Sequence, residues 1–161
     1  IQGYTMGDNQ NIISLEEGWN QKIKANAIDP LEAMLDEGFK KKTRLFSNAD
    51  YANIYTICYN MCTQKQPYNW SEQLYQRHGE TIASYLERKV VPAFKDKHGE
   101  LLLKEFVSRG ENHKIMNKWH QKFFMYLDRY HVKYHQLPPL EEAGVRYFKS
   151  IVFDSVKQEV T

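Results

Sequence analysis

The sequence is poor in the residues that interrupt helices and in those that cross-link chains. Among its 161 residues there are 8 glycines, 5 prolines and 2 cysteines. So few helix breakers favour long helices, and two cysteines exclude a scaffold built on disulfides. Cys58 and Cys62 stand one helical turn apart, a spacing whose geometry seldom suits a disulfide. We interpret both as reduced thiols that pack inside an intracellular protein.

Long apolar runs and an excess of charge of one sign are also missing. No run approaches the roughly 20 apolar residues of a membrane span, and the N-terminus lacks the pattern of a secretory signal. The 22 Lys+Arg face 20 Asp+Glu, for a net charge of +2, so no general electrostatic case for nucleic-acid binding exists. A helical nucleic-acid-binding domain that uses the basic residues 40–44 stays as an alternative from another functional class.

What the sequence does contain is aromatic and helical in pattern. Aromatic residues make up 14% of the chain, and 11 of them are tyrosines, which suit helix packing and protein interfaces. Apolar residues recur at helical spacing, and no segment alternates as a strand would. We therefore predict an all-α bundle of five main helices plus a short extra helical segment near the N-terminus.

Caps and breakers place the boundaries of these helices. Ser14 with Glu17 resembles a capping box, Pro30 is expected to open the short helix, and Gly110 is expected to end a helix that starts at residue 101. Pro92 is expected to bend a longer helix. The predicted helices span residues 14–25, 31–38, 48–64, 71–95, 101–109, 112–135 and 140–159. The core stripe of the fourth comprises Leu74, Ile82, Leu86, Val90 and Phe94, and that of the last comprises Val145, Phe148, Val152 and Val156.

No constellation of catalytic or metal-binding residues survives inspection. The chain has no phosphate-binding glycine loop and no nucleophile elbow. His131 and His135 stand one helical turn apart and could chelate a metal, but no third ligand is evident, so we expect them to face water or helix-end carbonyls. Cys58 lacks a base placed near it by the sequence. We predict a protein that is not an enzyme and has no catalytic, cofactor or metal site.

The stretch from residue 51 to 63 is the most informative. On a helical wheel it carries apolar residues on two sides, whereas packing in a core needs only one. Ile57 and Tyr59 are expected to reach the body of the domain. The second side needs either the rest of this domain or another protein, and spacing alone leaves both open. Its broad face comprises Tyr51, Ile54, Tyr55, Cys58, Met61 and Cys62.

Several of these segments resemble one family. Residues 54–65, IYTICYNMCTQK, resemble the second helix of the cullin N-terminal region, and residues 124–130, FMYLDRY, resemble its fifth helix. Residues 15–19, LEEGW, resemble the cullin start. The elbow at residues 137–140, LPPL, with Gly144 and Phe148 after it, is most similar to plant-type cullin-1. The resemblance runs from about residue 14 to residue 160, with the motifs in the family's order.

The resemblance implies a fold and a function. Residues 14–161 would be the first cullin repeat, a fragment of a longer scaffold, and residues 1–13 would be disordered or vector-derived. The protein would be the scaffold subunit of a cullin-RING (SCF-type) ubiquitin ligase in cytoplasm and nucleus. Its second and fifth helices would bind a Skp-type adaptor that carries an F-box protein. The RING protein would bind through a C-terminal half that this chain does not contain.

The resemblance also assigns site residues. Core packing stays open as an alternative for Tyr126. A cullin of another class, which binds a BTB-domain adaptor through the same helices, is the alternative function. Ala52 and Asn53 depart from the family pattern, as do residues 22–46, and are expected to weaken or retune adaptor choice. The implied adaptor-binding residues are Tyr51, Ile54, Tyr55, Ile57, Cys58 and Met61 from the second helix, and Tyr126, Arg129, Val132 and Lys133 from the fifth.

Overall fold

A computed structural model of the chain describes residues 12–37 and 46–160. These residues form six helical rods and contain no strand, which confirms the predicted all-α class. None of the rods is long and apolar enough to cross a membrane. Their bounds are Glu17–Ile28 with Asp29–Glu37 (α1), Asn48–Thr63 (α2), Ser71–Tyr85 with Leu86–Val90 and Val91–Phe94 (α3), Gly99–Phe123 (α4), Leu127–His131 with Val132–His135 (α5), and Leu140–Tyr147 with Phe148–Phe153 and Asp154–Val160 (α6).

The first rod is longer than predicted. Ser14 caps it as expected, because its hydroxyl accepts a hydrogen bond from the Glu17 amide at 3.1 Å. Pro30, however, does not open a separate helix. Asp29 keeps helical angles and its amide donates to the Lys24 carbonyl, so the chain passes through wide π turns into Asp29–Glu37 without a break. In a regular α-helix the ring of Pro30 would clash with the carbonyl four residues earlier, that of Asn26, but π turns and not α turns occupy Glu17–Ile28.

The start of α1 is bound to the loop between α2 and α3. The side chain of Gln64 donates to the Ile13 carbonyl at 3.0 Å and accepts from the Ile13 amide. The Trp70 indole donates to the same carbonyl at 2.8 Å. Ile13 is therefore held by contacts from the other side of the domain; residues 1–11 lie outside the described part of the chain.

The third rod follows its predicted course. The α-helix continues as a π-helix over Leu86–Val90 and then as a 3₁₀-helix over Val91–Phe94, which contains Pro92. The bend expected at the proline is thus a change of helix type within one rod. The predicted core stripe is confirmed, since all five of its residues are buried: Leu74, Ile82, Leu86, Val90 and Phe94.

The break predicted at Gly110 is wrong. Gly99–Phe123 is one helix of 25 residues that begins after His98, where Gly99 adopts a left-handed φ of +57°. Gly110 lies inside this helix, and a Cβ added there would have no neighbour within 4 Å. A glycine in a helix costs only about 1 kcal/mol relative to alanine, which packing of the long helix against the core outweighs.

A short elbow joins α5 to α6. Gln136 ends α5 in the left-handed conformation, with a φ of 54°. The Leu140 amide, the first of α6, donates to the Asp128 carboxylate at 2.9 Å, and the Tyr75 hydroxyl donates to the Pro138 carbonyl at 2.7 Å. A side chain of α5 thus caps the next helix, while α3 holds the loop between them.

The inner face of α6 agrees with prediction except at its first residue. Val152 and Val156 are buried, and Phe148 packs against the core. Val145 is 55% exposed. The predicted stripe took the wrong residue at this level of the helix: Leu140 and Gly144 face the core, and Val145 faces solvent.

Removing the Asp128 cap is expected to destabilise the fold modestly. Asp128→Ala leaves the Leu140 amide without its acceptor, so the free energy of unfolding is expected to fall by about 1 kcal/mol, the typical value of an N-terminal cap. Asp128→Asn keeps an acceptor oxygen and is expected to retain most of that stability. Urea unfolding followed by circular dichroism measures both, and equal midpoints for wild type and Asp128→Ala would contradict the capping role.

Four polar side chains lie in the core between α3, α4 and α6. His78, His113, Asn117 and His120 are each no more than 6% exposed. His113 bonds the Gly144 carbonyl at 2.8 Å, whereas neither ring nitrogen of His120 has a partner. Burial lowers the pKa of His78 to about 3 and that of His120 well below its ordinary value. These rings are therefore neutral packing groups at physiological pH.

Candidate functional site

The thiols and histidines of the described chain do not form a reaction centre. No group of three or more His, Cys, Asp or Glu residues within it is placed to hold a metal ion. Cys58 and Cys62 are free and buried, and burial raises the pKa of Cys58 well above its usual value and that of Cys62 to about 11. Because the thiolate is the nucleophilic form, neither side chain is set up for covalent chemistry.

Five tyrosines instead form an aromatic surface across α2 and the start of α5. We call this the tyrosine surface: Tyr51, Tyr55 and Tyr59 from α2, with Tyr126, the residue before α5, and Tyr130 within α5. The rings of Tyr59 and Tyr126 meet edge to face, with centroids 5.0 Å apart. Those of Tyr126 and Tyr130 lie 4.5 Å apart, and those of Tyr51 and Tyr55 lie 6.4 Å apart. Such pairs add about 0.5–1.5 kcal/mol beyond area burial, so each ring steadies its neighbour.

The spacing of α2 places its tyrosines in a row. Tyr51, Tyr55 and Tyr59 recur every fourth residue, so they follow one side of the helix, at the margin of its buried face. The adjoining buried face is closed by the core. There Gly18 of α1 lies so near that a Cβ would overlap the sulfur of Met61. This close approach leaves no room for a partner beneath α2.

Three residues predicted to bind the adaptor from α2 belong to that closed face. Ile54, Cys58 and Met61 are 2%, 1% and 0% exposed, because α2 packs with this side on α1 and α4. The prediction is corrected for these three, which support the surface from beneath. Tyr51, Tyr55 and Ile57 are half-buried at the margin of the exposed face.

Tyr59 is the residue that sequence reasoning placed wrongly. It was expected to reach the body of the domain, but its side chain is 43% exposed and packs on Tyr126. The regular row of tyrosines at positions 51, 55 and 59 was the available indication. The prediction placed Tyr51 and Tyr55 on one broad apolar face of the helix and Tyr59 on another side. It therefore separated residues that belong to one row.

The fifth helix adds a cationic edge to the tyrosine surface. Arg129 and Lys133 are exposed, and neither belongs to an ion pair within the described residues. Val132, also predicted to contact the adaptor, is only 5% exposed and packs inward, so its place at the interface is corrected. Tyr126 is half-buried, a member of both the core edge and the surface.

Two departures from the family pattern lie beside this surface. Ala52 and Asn53 are both exposed on α2. Asn53 lines a separate shallow groove with Ile57, Met34 and Phe46, so it faces away from the tyrosine row. Ala52 is the departure that lies next to Tyr51 and Tyr55. The basic residues 40–44 fall outside the described part of the chain.

The arrangement is suited to binding rather than reaction. Aromatic rings with a cationic edge, on a surface held from beneath by core packing, are typical of sites where one protein docks on another. The six rods and this surface define a helical protein-interaction domain.

Comparison with known proteins identifies the family. The model of the cullin alpha solenoid domain matches residues 29–161, and the chain belongs to the cullin family. Cullin-1 of Oryza sativa subsp. japonica is 41% identical over 148 residues, which are 92% of this chain and 19% of the relative. Putative cullin-like protein 2 of Arabidopsis thaliana is 40% identical over 143 residues, 88% of this chain and 36% of the relative. Cullin-2 of the same plant is 33% identical over 145 residues, 90% of this chain and 19% of the relative.

These matches confirm the resemblance seen in the motifs. They also show that the chain spans about a fifth of the length of relatives such as the rice cullin-1. The activities and partners of a whole cullin therefore reach this chain only as proposals.

Proposed function

We propose that this chain is the adaptor-binding part of a cullin scaffold in an SCF-type ubiquitin ligase. Its tyrosine surface would bind a Skp-type adaptor that carries an F-box protein. The observation that carries the proposal is the partly exposed tyrosine surface with Arg129 and Lys133 at its edge, on the two helices whose motifs match the cullin pattern.

The chemistry of the surface supports a protein partner with a mixed apolar and acidic face. Tyrosine and arginine are enriched among the residues that dominate binding energy. A cationic edge without internal partners attracts carboxylates and steers their approach. The chain itself would be a non-catalytic scaffold in cytoplasm and nucleus, and the RING protein would bind a part of the scaffold beyond this chain.

Truncating the half-buried ring of Tyr55 and the exposed ring of Tyr59 is expected to weaken adaptor binding. Tyr55→Ala together with Tyr59→Ala removes contact area without opening the core, so affinity for a Skp-type adaptor is expected to fall about ten- to hundredfold, or roughly 1.4–2.7 kcal/mol. Isothermal titration calorimetry measures the affinity, and circular dichroism checks that helicity is retained.

Tyr68→Ala is the matched control for this experiment. Tyr68 and Tyr59 are both 43% exposed, but Tyr68 lies against Trp70 in the loop after α2, with ring centroids 6.4 Å apart. The affinity of Tyr68→Ala for the Skp-type adaptor is expected to stay within about twofold of the wild-type affinity. Equal losses in both variants, or undiminished binding in the double variant, would overturn the assignment of the surface. Binding of a BTB-domain adaptor in place of the Skp-type adaptor would assign the chain to another cullin class.

A further inference from the structure

A groove opens beside the tyrosine surface, between α3 and α5. Its volume is about 1120 Å³. Tyr126 and Tyr130 belong to both features, so the groove continues the tyrosine surface around the side of the domain. None of the functions described above uses it.

The walls of the groove are unusually rich in aromatic rings. Tyr75 and His131 lie together, with ring centroids 5.8 Å apart, and His131 and His135 lie 4.6 Å apart. Tyr134 is 84% exposed at the rim. The aromatic side chains that line the groove are Tyr75, Tyr126, Tyr130, Tyr134 and Tyr147, with the imidazoles of His131 and His135.

The charge of the groove has one sign. Glu72 and Glu80 of α3 line it, and among the described residues no lysine or arginine does. Neither carboxylate takes part in an ion pair within the described chain. Arg146 lies near Tyr75, but its guanidinium is paired with Glu142 at 2.9 Å. The lysine- and arginine-free lining of the groove therefore leaves its carboxylates available to a cationic partner, although His131 lies near Glu72 and Glu80 also lines a neighbouring groove with Arg77 and Arg88.

The wall of the groove also carries side-chain amides, whose oxygens accept hydrogen bonds. Gln73 is one of these residues. Gln66 and Gln76 add further amide groups along the same wall.

We propose that this groove docks an arginine-bearing segment of a protein partner. A guanidinium stacks on tyrosine faces, pairs with carboxylates and supplies five N–H donors, so it matches all three properties of the walls. The carboxylates disfavour nucleic acid and acidic peptides. This inference rests on the proposed function in one respect: the arginine-bearing segment would belong to the adaptor complex that binds the tyrosine surface. Whether the groove binds arginine is tested separately.

The test uses two short peptides that differ in one property. Acetyl-Gly-Arg-Gly-Gly-Arg-Gly-amide carries two guanidinium groups, and its citrulline counterpart has neutral ureas of the same shape. Each is titrated into the ¹⁵N-labelled 161-residue chain and followed by amide and tyrosine-ring chemical shifts. The arginine peptide is expected to shift the resonances of Tyr75, Tyr130 and Tyr134 and to bind at least about fivefold more tightly than the citrulline peptide.

Charge-neutral variants locate the site. Glu72→Gln with Glu80→Gln is expected to weaken binding of the arginine peptide at least about threefold. Glu87→Gln with Glu141→Gln removes the same charge from exposed positions outside the groove and is expected to leave the affinity unchanged.

Three outcomes would overturn the inference: equal binding of both peptides, equal losses in both pairs of variants, or shifts confined to residues outside the groove. Adaptor calorimetry and the arginine-peptide titration, both on the unsubstituted chain, separate this inference from the proposed function. An adaptor that binds while the peptide does not would overturn the groove assignment alone. A peptide that binds while the adaptor does not would overturn the proposed function alone.

Discussion

Lowering the pH from 7.0 to 5.0 is expected to reduce the free energy of unfolding by about 4 kcal/mol. His78 and His120 have folded-state pKa values below the value near 6.5 of an unfolded histidine. Their contribution to stability is thus fully present above pH 6.5. It is lost as the pH falls towards their folded-state pKa values, because the unfolded chain then binds the protons that the core excludes. Each excluded proton contributes about 1.4 kcal/mol per pH unit, and two histidines over 1.5 units give the stated loss.

Urea unfolding at pH 7.0, 6.5, 6.0, 5.5 and 5.0 measures this slope above the range where carboxylates titrate. The loss of unfolding free energy is expected to steepen below pH 6.5 and to approach about 2.7 kcal/mol per pH unit in wild type near pH 5, and about half of that in His120→Leu. His98→Leu is the control, since His98 is exposed at the start of α4 and is expected to keep the wild-type slope. A flat profile for wild type between pH 6.5 and 5.0 would show that the core accommodates protonated histidine.

Gly144→Ala is expected to reduce the free energy of unfolding by about 2–3 kcal/mol. A Cβ at Gly144 would overlap the side-chain amide oxygen of Asn117 and lie 2.6 Å from its Cγ. Asn117 is only 6% exposed, so its side chain has little room to move, and overpacking of this kind typically costs 1–3 kcal/mol. The shift would also disturb the bond between His113 and the Gly144 carbonyl.

A double-mutant cycle identifies the cause. Asn117→Ala removes the obstructing amide, whose oxygen has no hydrogen-bond partner, so adding Gly144→Ala to that variant is expected to cost less than about 0.5 kcal/mol. Gly110→Ala is the matched control, because its Cβ meets nothing within 4 Å; it is expected to stabilise the helix by up to about 1 kcal/mol. If Gly144→Ala costs the same with and without Asn117, the clash is not the reason.

The fold was largely predictable because its helices obey local rules. Ser47 forms the capping box with Asp50 that opens α2, and the stripe from Leu74 to Phe94 marks the inner side of α3. Two errors occur at Pro30 and Gly110, where tertiary packing overrides the usual effect of a breaker. Two others are the predicted single helix of residues 112–135, which is divided after Phe123, and the inward position predicted for Val145. No local rule reports how much a long rod gains from the core against which it lies.

The site was less predictable than the fold. The two helices that build it were identified from their motifs, and the structure brings Tyr55 and Tyr126 to a shared surface through Tyr59. Spacing could not tell the outer face of α2 from the inner one, because both are apolar. α1 packs on one face of α2 through the contact between Gly18 and Met61, and this packing decides which face is covered. The two residues of that contact are far apart in the sequence, so local spacing does not reveal it.

The buried underside of α2 has a consequence for how selective the surface is. Ile54, Cys58 and Met61 immobilise the backbone from beneath, and the edge-to-face contact of Tyr59 with Tyr126 restricts the rings above it. Side chains that are already ordered lose little conformational entropy when a partner arrives. Such a preorganised surface favours partners whose shape matches it in advance, and it penalises those that would require the rings to rearrange.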